Sequence, residues 1–364
     1  MNLRTATAAT AFLSIKTQFD NAGDALINRE LSRLVARRAK TYVDFSRAPA
    51  AFENSMGIDE LPNATSLRKH GFALLVLMIL RERMHRRECF LFLNPGGLGG
   101  GRLSWKARFS ALAYNMILSF LAALGVKICQ VGISYERMGR IERAIAQWRR
   151  HAMFSFCVRD RLSQQYVNSI DMPSDAIVPD LSFNLYREDA KPSHARSRIA
   201  ISFRFDGKAE ASRILEAVQQ IAQVIGEEHE YLFIVQVARD LKGMTELQAA
   251  CQVAGMRTRL IICHDDIDSL ATTYSECSAI YSNRLHALLL AAHSGAAPYA
   301  VISRGSQPKI EGMFTDLGMA DRILFLGEPT TNFSEPTELD RTIFHPEFTR
   351  LNEYFDRILG PPLT

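Results

Sequence analysis

The stretch "AIYSNRLHALLLAAHSGAAPYAVIS", residues 279–303, decides the fold. "AIYSN" is a short apolar run that ends in turn-forming residues, which predicts a strand. From Leu285 the chain is almost wholly apolar up to Gly295 and Pro298, which predicts a buried helix. "YAVIS" predicts the next strand. A strand, a helix and a strand in this order form a parallel crossover unit. One feature resists a purely structural explanation. Arg284 and His286 stand on the first turn of the helix, where the helix dipole disfavours positive charge.

The same rhythm extends in both directions. Upstream, "IAISFRF", "YLFIVQVA" and "RLIICH" read as strands. They alternate with the helical segments "EASRILEAVQQIAQVIGEE", "MTELQAACQVAGM" and "SLATTYSEC". Nearer the amino terminus, "FLSIK", "CFLFLN", "VKICQVG" and "FSFCVRD" are strands, and "AIVPDLSF" holds a short one. "ALINRELSRLVARRA" and "IERAIAQWRRHAM" are helices. The polar segment "REDAKPSHARSR", residues 187–198, interrupts the rhythm and predicts a domain boundary. The expected organisation is therefore α/β, with two Rossmann-like domains whose parallel sheets face a cleft. The first covers residues 1–190 and the second 195–340, with a helical tail over 341–364.

The size of the chain, 364 residues, suits two such domains. Lys and Arg exceed Asp and Glu by only 4 and are scattered, which argues against a nucleic-acid partner. The basic runs 81–87 and 149–151 read first as solvated helix faces and second as points of attraction to anionic lipid. None of the 6 cysteines forms a CxxC pair, so buried free thiols and a reducing cytoplasm are expected. No secretory signal is legible, and "GFALLVLMIL" is about half the length that spans a bilayer. Residues 109–126 are uncharged and nearly long enough. Asn115, Ser110, Ser119 and Gly125 interrupt them, and they are read as a buried helix.

In open parallel sheets ligands sit beyond the carboxyl ends of the strands. Asn21, Gly23 and Asp24 follow the first strand, and Gly96 and Gly97 follow "CFLFLN". Arg159 follows "FSFCV", Arg204 follows "ISF", Arg284 and His286 follow "AIYSN", and Lys309 lies beyond "YAVIS". The arginines and the lysine suit phosphate or carboxylate. Ser282 or Asn283 is expected to cap the helix, leaving its first N–H groups open to an anion. At that position the dipole would depress the pKa of His286, so that it acts as a base near neutral pH. Asp24 reads equally well as a helix cap. Arg159-Asp160 reads equally well as an ion pair. The glycine run lacks both a GxGxxG spacing and a Walker lysine. His264, Asp265 and Asp266 have no further ligand at a suitable spacing, so no metal site is expected.

Taken together, these pieces resemble the polysaccharide pyruvyl transferases. "NAGDALI" is similar to the family's N-x-G-D loop. "GISYERMG", "VRDRLS", "PDLSF", "SNRLHALLLAAHSGAAPYAV" and "SQPKI" follow in the family's order. There are two departures. The family's three-glycine loop reads Asn94-Pro95-Gly96-Gly97, and Gln307 replaces an aspartate before Pro308-Lys309. The resemblance implies a glycosyltransferase-B-like architecture. It also implies transfer of pyruvate from phosphoenolpyruvate to a sugar of a cell-wall or exported polysaccharide, or its lipid-linked precursor, as a ketal. Such a reaction has no redox step and requires no cofactor or metal in principle. Asp24 and His286 become the acid–base pair, with either order of roles open. Arg159, Arg284, Lys309 and, more weakly, Arg204 become the anion-binding groups. A lipid-linked acceptor implies work at the inner face of a membrane, with peripheral association. Two other readings share the same basic site: a nucleotide-sugar glycosyltransferase and a non-enzymatic anion- or glycan-binding protein.

Overall fold

The computed structural model describes residues 9–69, 71–98, 103–188, 197–205, 207–226, 228–264, 266–328 and 335–363. The outer part of the glycine run, residues 99–101, Asp265 and most of the expected domain boundary lie outside the described residues.

Contacts divide the chain into two compact units. The first comprises the residues up to Thr17, Ile27–Asn184 and those from Glu347 onward. Its elements are β1 (Thr10–Ser14), α1 (Ala22–Ala36), β2 (Lys40–Asp44), α2 (Ala50–Met56), β3 (Ala64–Leu67), α3 (Gly71–Met84) and β4 (Cys89–Leu93). They continue with β5 (Gly96–Leu98), α4 (Trp105–Ala123), β6 (Lys127–Tyr135), α5 (Arg140–His151), β7 (Ser155–Val158), α6 (Arg161–Asn168) and β8 (Ala176–Ile177). The strands form a parallel sheet in the order β3-β2-β1-β4-β6-β7-β8, with β5 added on β6. Residues of β1 and β4 are buried throughout, as expected for a parallel sheet covered on both faces.

The second unit comprises Gln18–Leu26 and Leu185–Pro346. It contains β9 (Arg198–Ser202), α7 (Lys208–Ile225), β10 (Glu230–Val235), α8 (Leu241–Val253), β11 (Thr258–Ile262) and α9 (Ile267–Ser275). β12 (Cys277–Ser282), α10 (Leu285–His293), β13 (Ala297–Ile302), α11 (Pro308–Asp316) and β14 (Ile323–Phe325) follow. The sheet is again parallel, in the order β11-β10-β9-β12-β13-β14. Its chain order reverses at the β9/β12 neighbour pair. In the first sheet the reversal falls between β1 and β4. Both are topological switch points.

The division departs from the expected boundaries in two places, each for a visible reason. The tail does not stand alone. Helix α12 (His345–Leu359) returns to the first unit, where Phe355 stacks on Phe92 with ring centroids 6.1 Å apart. Tyr354 Oη lies 2.7 Å from Ser155 Oγ, and Arg38 Nε donates to Asp356 Oδ1 at 2.8 Å. Residues 18–26 group with the second unit because Asn21 and Val237 form an antiparallel bridge. On either side Ala22 N donates to Gln236 O at 3.0 Å, and Ala238 N donates to Asp20 O at 3.1 Å.

A second correction concerns α4, expected to be buried. Its only fully buried side chains are Asn115, Leu118 and Leu121. Trp105, Phe109, Met116 and Phe120 are exposed instead. The six cysteines are free and buried, in line with the sequence.

Candidate active site

In the second unit the switch point is built by a side-chain clamp. Asn283, directly after β12, accepts from Arg204 N through Oδ1 and donates to Arg204 O through Nδ2, both at 2.8 Å. Ser282 Oγ donates to Ser202 O and accepts from Arg284 N at 3.0 Å. These bonds fix the ends of β9 and β12 side by side. They also correct the expected capping. Ser282 and Asn283 are occupied elsewhere, and Arg284 itself stands at the N-cap of α10 in extended backbone, with no side-chain cap. The first turn of α10 thus receives no capping bond from its own N-cap side chain.

The Arg284 guanidinium is ion-paired with Asp240, and its side chain is only 12% exposed. Its Nε is buried without a hydrogen-bond partner. Burial lowers the Arg284 pKa most, with Arg239 and Arg204 as like charges adding to it, while Asp240 opposes. An arginine nevertheless remains charged in proteins. Burial likewise pushes the Asp240 carboxyl above its ordinary range, against the pull of Arg284, Arg239 and Arg204. Asp240 thus feels three guanidinium charges, one of them directly paired with it, and the paired arginine keeps a buried donor left over. A phosphate or carboxylate would meet that donor and offset the repulsion. Arg239 and Asp240 escaped the sequence reading. They follow "YLFIVQVA", so the same strand-end rule could have found them.

His286, second in α10, is backed by the amino-terminal loop. A Cβ built on Gly23 would fall 2.8 Å from His286 Nδ1 and 3.0 Å from its Cβ. Glycine is needed here for space: nothing larger fits beneath the imidazole. Gly23 N donates to Asn21 Oδ1 at 3.0 Å, which fixes the turn into α1. Asp24 lies within the first turn of α1 rather than at its cap, and its Oδ2 accepts from Gln18 N at 3.3 Å. Asn21, Gly23, Asp24, Arg204, Arg284 and His286 therefore all belong to the second unit. So does Lys309, which starts α11 behind Pro308. Gln307 holds the N-cap there without a capping bond.

Gly23→Ala is expected to leave the fold standing, because alanine is favoured over glycine within a helix by about 1 kcal/mol. It is also expected to displace the imidazole and lower turnover by about 10- to 100-fold. Steady-state rates beside a melting curve check this; unchanged turnover would show that His286 position is immaterial.

Asp240 gives a pH prediction. Its folded pKa lies above that of the unfolded chain, so the folded state holds the proton more tightly. The stability it contributes is present at low pH and is lost as pH rises through the raised value. A bound anion raises that value further, so anion binding takes up protons and strengthens as pH falls. Asp240→Asn is expected to bind phosphate several-fold tighter and with a flatter pH dependence, by calorimetry across a pH series.

The first unit holds the remaining sequence candidates. Gly96 and Gly97 do not form a loose loop but pair with Ile133 and Ser134 of β6. Gly96 has φ +112°, which favours glycine. Arg159 is buried and engaged: Nε donates to Ser134 Oγ at 2.6 Å and Nη1 to Asp180 Oδ2 at 2.7 Å. Ser134 Oγ in turn donates to Asp160 Oδ2 at 2.6 Å, and Asp160 Oδ1 caps α6 by accepting from Ser163 N. Gly132, at φ +70°, leaves no room for a Cβ, which would lie 2.8 Å from Leu181. The segments "GISYERMG", "VRDRLS" and "PDLSF" are thus one interlocked network. Arg159 thereby ties Ser134 to Asp180 within this network. At this unit's switch point the sequence reading missed Lys16. The residue is exposed as a whole, yet its ammonium lies over the Phe72 and Tyr114 rings at 4.6 and 4.5 Å. Burial of that ammonium, then Arg47, lowers its pKa.

Asp266 caps α9 by accepting from Asp268 N and Ser269 N, so it acts as a structural residue. Among the described residues no group of three or more His, Cys, Asp or Glu side chains is placed to hold a metal. No helix among them is long and apolar enough to cross a membrane.

Two parallel α/β units of this topology give the chain a GT-B-like fold. The chain is similar in fold to UDP-GlcNAc 2-epimerase from Methanocaldococcus jannaschii, with a TM-score of 0.55 at 9% identity, covering 97% of this chain and 99% of that one. It is also similar to the UDP complex of S. aureus MnaA, with a TM-score of 0.52 at 9% identity over 98% of both chains. A glycosyltransferase from Rickettsia africae gives 0.53 at 9% identity, over 97% and 93%. The family model for polysaccharide pyruvyl transferase matches residues 21–304. The chain belongs to that family and is a transferase. No curated protein matches it in sequence. The matched stretch includes Asp24, Arg159, Arg204, Arg284 and His286, and ends just before Lys309.

Proposed function

We propose that the protein transfers pyruvate from phosphoenolpyruvate to two hydroxyls of a saccharide, forming a cyclic ketal on a cell-surface or exported polysaccharide or its lipid-linked precursor. The observation that carries this reading is the arginine cluster of Arg284, Arg204 and Arg239 with its unsatisfied Nε, two residues ahead of His286, in a chain of this family. The donor bears a phosphate and a carboxylate, and the cluster supplies donors for both. His286 gives a proton to the methylene carbon, which becomes the methyl group and leaves C2 electron-poor. Asp24 takes the proton of the first attacking hydroxyl as the C2–O bond forms, and its charge steadies the cationic centre. The second hydroxyl then displaces phosphate from C2, closing the ketal, and its proton leaves with the phosphate. One phosphoenolpyruvate and one diol yield one ketal and one inorganic phosphate.

The test is phosphate release from phosphoenolpyruvate with and without a panel of soluble and lipid-linked oligosaccharides. Release that requires an acceptor and vanishes in His286→Ala supports the reading. A second reading, glycosyl transfer, draws on the fold it shares with the UDP complex of MnaA. It gains if a nucleotide sugar raises the melting temperature while phosphoenolpyruvate does not and no phosphate is released.

A further inference from the structure

Helix α4 presents its apolar residues in the wrong direction for a water-facing helix. Its one fully buried polar side chain, Asn115, points inward, donating to Ile145 O at 2.7 Å and accepting from Arg149 Nε at 2.9 Å. The outward positions Trp105, Phe109, Leu112, Met116, Phe120 and Leu124 recur at helical spacing and form one strip. Trp105 is 73% and Phe109 70% exposed, and no acidic residue occurs on the helix. Helix α3 lies alongside: Phe72 packs on Tyr114 with centroids 5.3 Å apart, and Arg83 Nε donates to Leu124 O at 3.0 Å. It adds exposed Leu77 and Met84. Helix α5 adjoins α4 through the Arg108–Glu142 ion pair at 2.8 Å and adds exposed Ile141 and Trp148. An exposed apolar strip of this kind, flanked by apolar residues of two adjoining helices, marks an interaction site on a globular unit.

We propose that this surface of the first unit docks on a lipid bilayer carrying anionic headgroups, with the α4 strip lying in the interfacial plane. Charge selects this occupant. Arg81, Arg86, Lys106 and Arg140 are exposed on the same three helices and the turn after α3. Glu82, the acid on α3, is neutralised by Arg87 at 2.7 Å. Apolar side chains with a cationic margin match acyl chains beneath anionic phosphates. Trp105 carries Lys106 Nζ 6.0 Å above its ring, an aromatic body with a charged tip, which suits the headgroup level. A second copy fits less well, since a two-fold pairing of this face would bring two sets of Arg81, Arg86 and Lys106 into one interface. The helix lies on the membrane rather than crossing it, as no helix among the described residues is long and apolar enough to span. The inference is independent of the donor substrate. A bilayer-bound acceptor would explain its use, but docking is tested without any turnover.

The full chain is mixed with vesicles of phosphatidylcholine alone or with phosphatidylglycerol added, and binding is read by flotation. The chain has 2 tryptophans, Trp105 and Trp148, both exposed on this surface, so their emission reports insertion directly. The expected result is partition onto anionic vesicles that weakens with salt, with a blue shift of tryptophan emission. In Phe109→Ser/Phe120→Ser, both substituted at exposed positions, partition is expected to fall by about tenfold or more at unchanged melting temperature. Equal partition of this variant and the unmodified chain overturns the proposal. So does the absence of binding to anionic vesicles, or self-association that the same variant abolishes while vesicles stay unbound.

Discussion

His286→Ala is expected to reduce turnover by about 10²–10⁴-fold, the usual contribution of a positioned proton donor or acceptor, while the melting temperature stays near that of the unmodified protein. The imidazole is half-exposed at the start of α10, so its loss opens no cavity in the core. The helix itself is held by buried Ala287 to Ala292, which the substitution does not touch. The catalytic effect is expected to be large because the surroundings are built around this ring: Gly23 is bare of a side chain where a Cβ would meet Nδ1. Phosphate release in the presence of acceptor measures the loss. His286→Ala with turnover within a factor of a few would remove the residue from the chemistry and leave the arginine cluster as a binding site alone. Affinity for phosphate, measured separately, is expected to change little, since Arg284, Arg204 and Arg239 remain.

The fold was legible because its strands are apolar runs at parallel-sheet length, and their helices have clear period. "CFLFLN" corresponds to β4 apart from its last residue, and "YLFIVQVA" covers β10 from its second residue and overruns it by three. What the sequence hid were elements whose apolar runs are weak or brief. β2, "KTYVD", follows α1 after only a brief turn and has one exposed end, and β14 is only Ile323–Phe325. Helix α4 misled for a different reason. Hydropathy registers how apolar a helix is, not which of its faces finds a partner, and α4 is apolar on both. The site was half legible. The strand-end rule found Arg284, His286 and the Asn21–Asp24 loop, whose convergence on one unit rests on the Asn21–Val237 bridge that no local pattern announces. It could not separate Arg159 from Arg284. Both are arginines just past a strand, and only their partners distinguish them.

That separation gives a second large effect. Arg159→Met is expected to destabilise the first unit by about 3–5 kcal/mol, because it takes the neutralising guanidinium from the buried Asp180 carboxylate. The Asp180 side chain is only 1% exposed, and its Oδ1 already accepts from Ser182 N at 3.0 Å. For a unit of this size the loss corresponds to roughly 6–20 °C in melting temperature. Removing both charges, as Arg159→Met/Asp180→Leu, is expected to recover much of the stability, since an apolar pair can replace a buried ion pair at little cost. If Arg159 is a strut, that double variant also recovers turnover. Arg284→Met/Asp240→Leu should behave in the opposite way. It too removes a buried pair, so stability returns, but the donor with the unsatisfied Nε is gone. Phosphate affinity and turnover are then expected to stay low, by about tenfold or more for a lost charge-assisted contact. Turnover lost in the Arg159/Asp180 pair variant at native stability would return Arg159 to the substrate. Turnover retained in the Arg284/Asp240 pair variant would take the anion away from α10. The two arginines, alike in sequence context, are thereby assigned by whether an apolar pair can stand in for them.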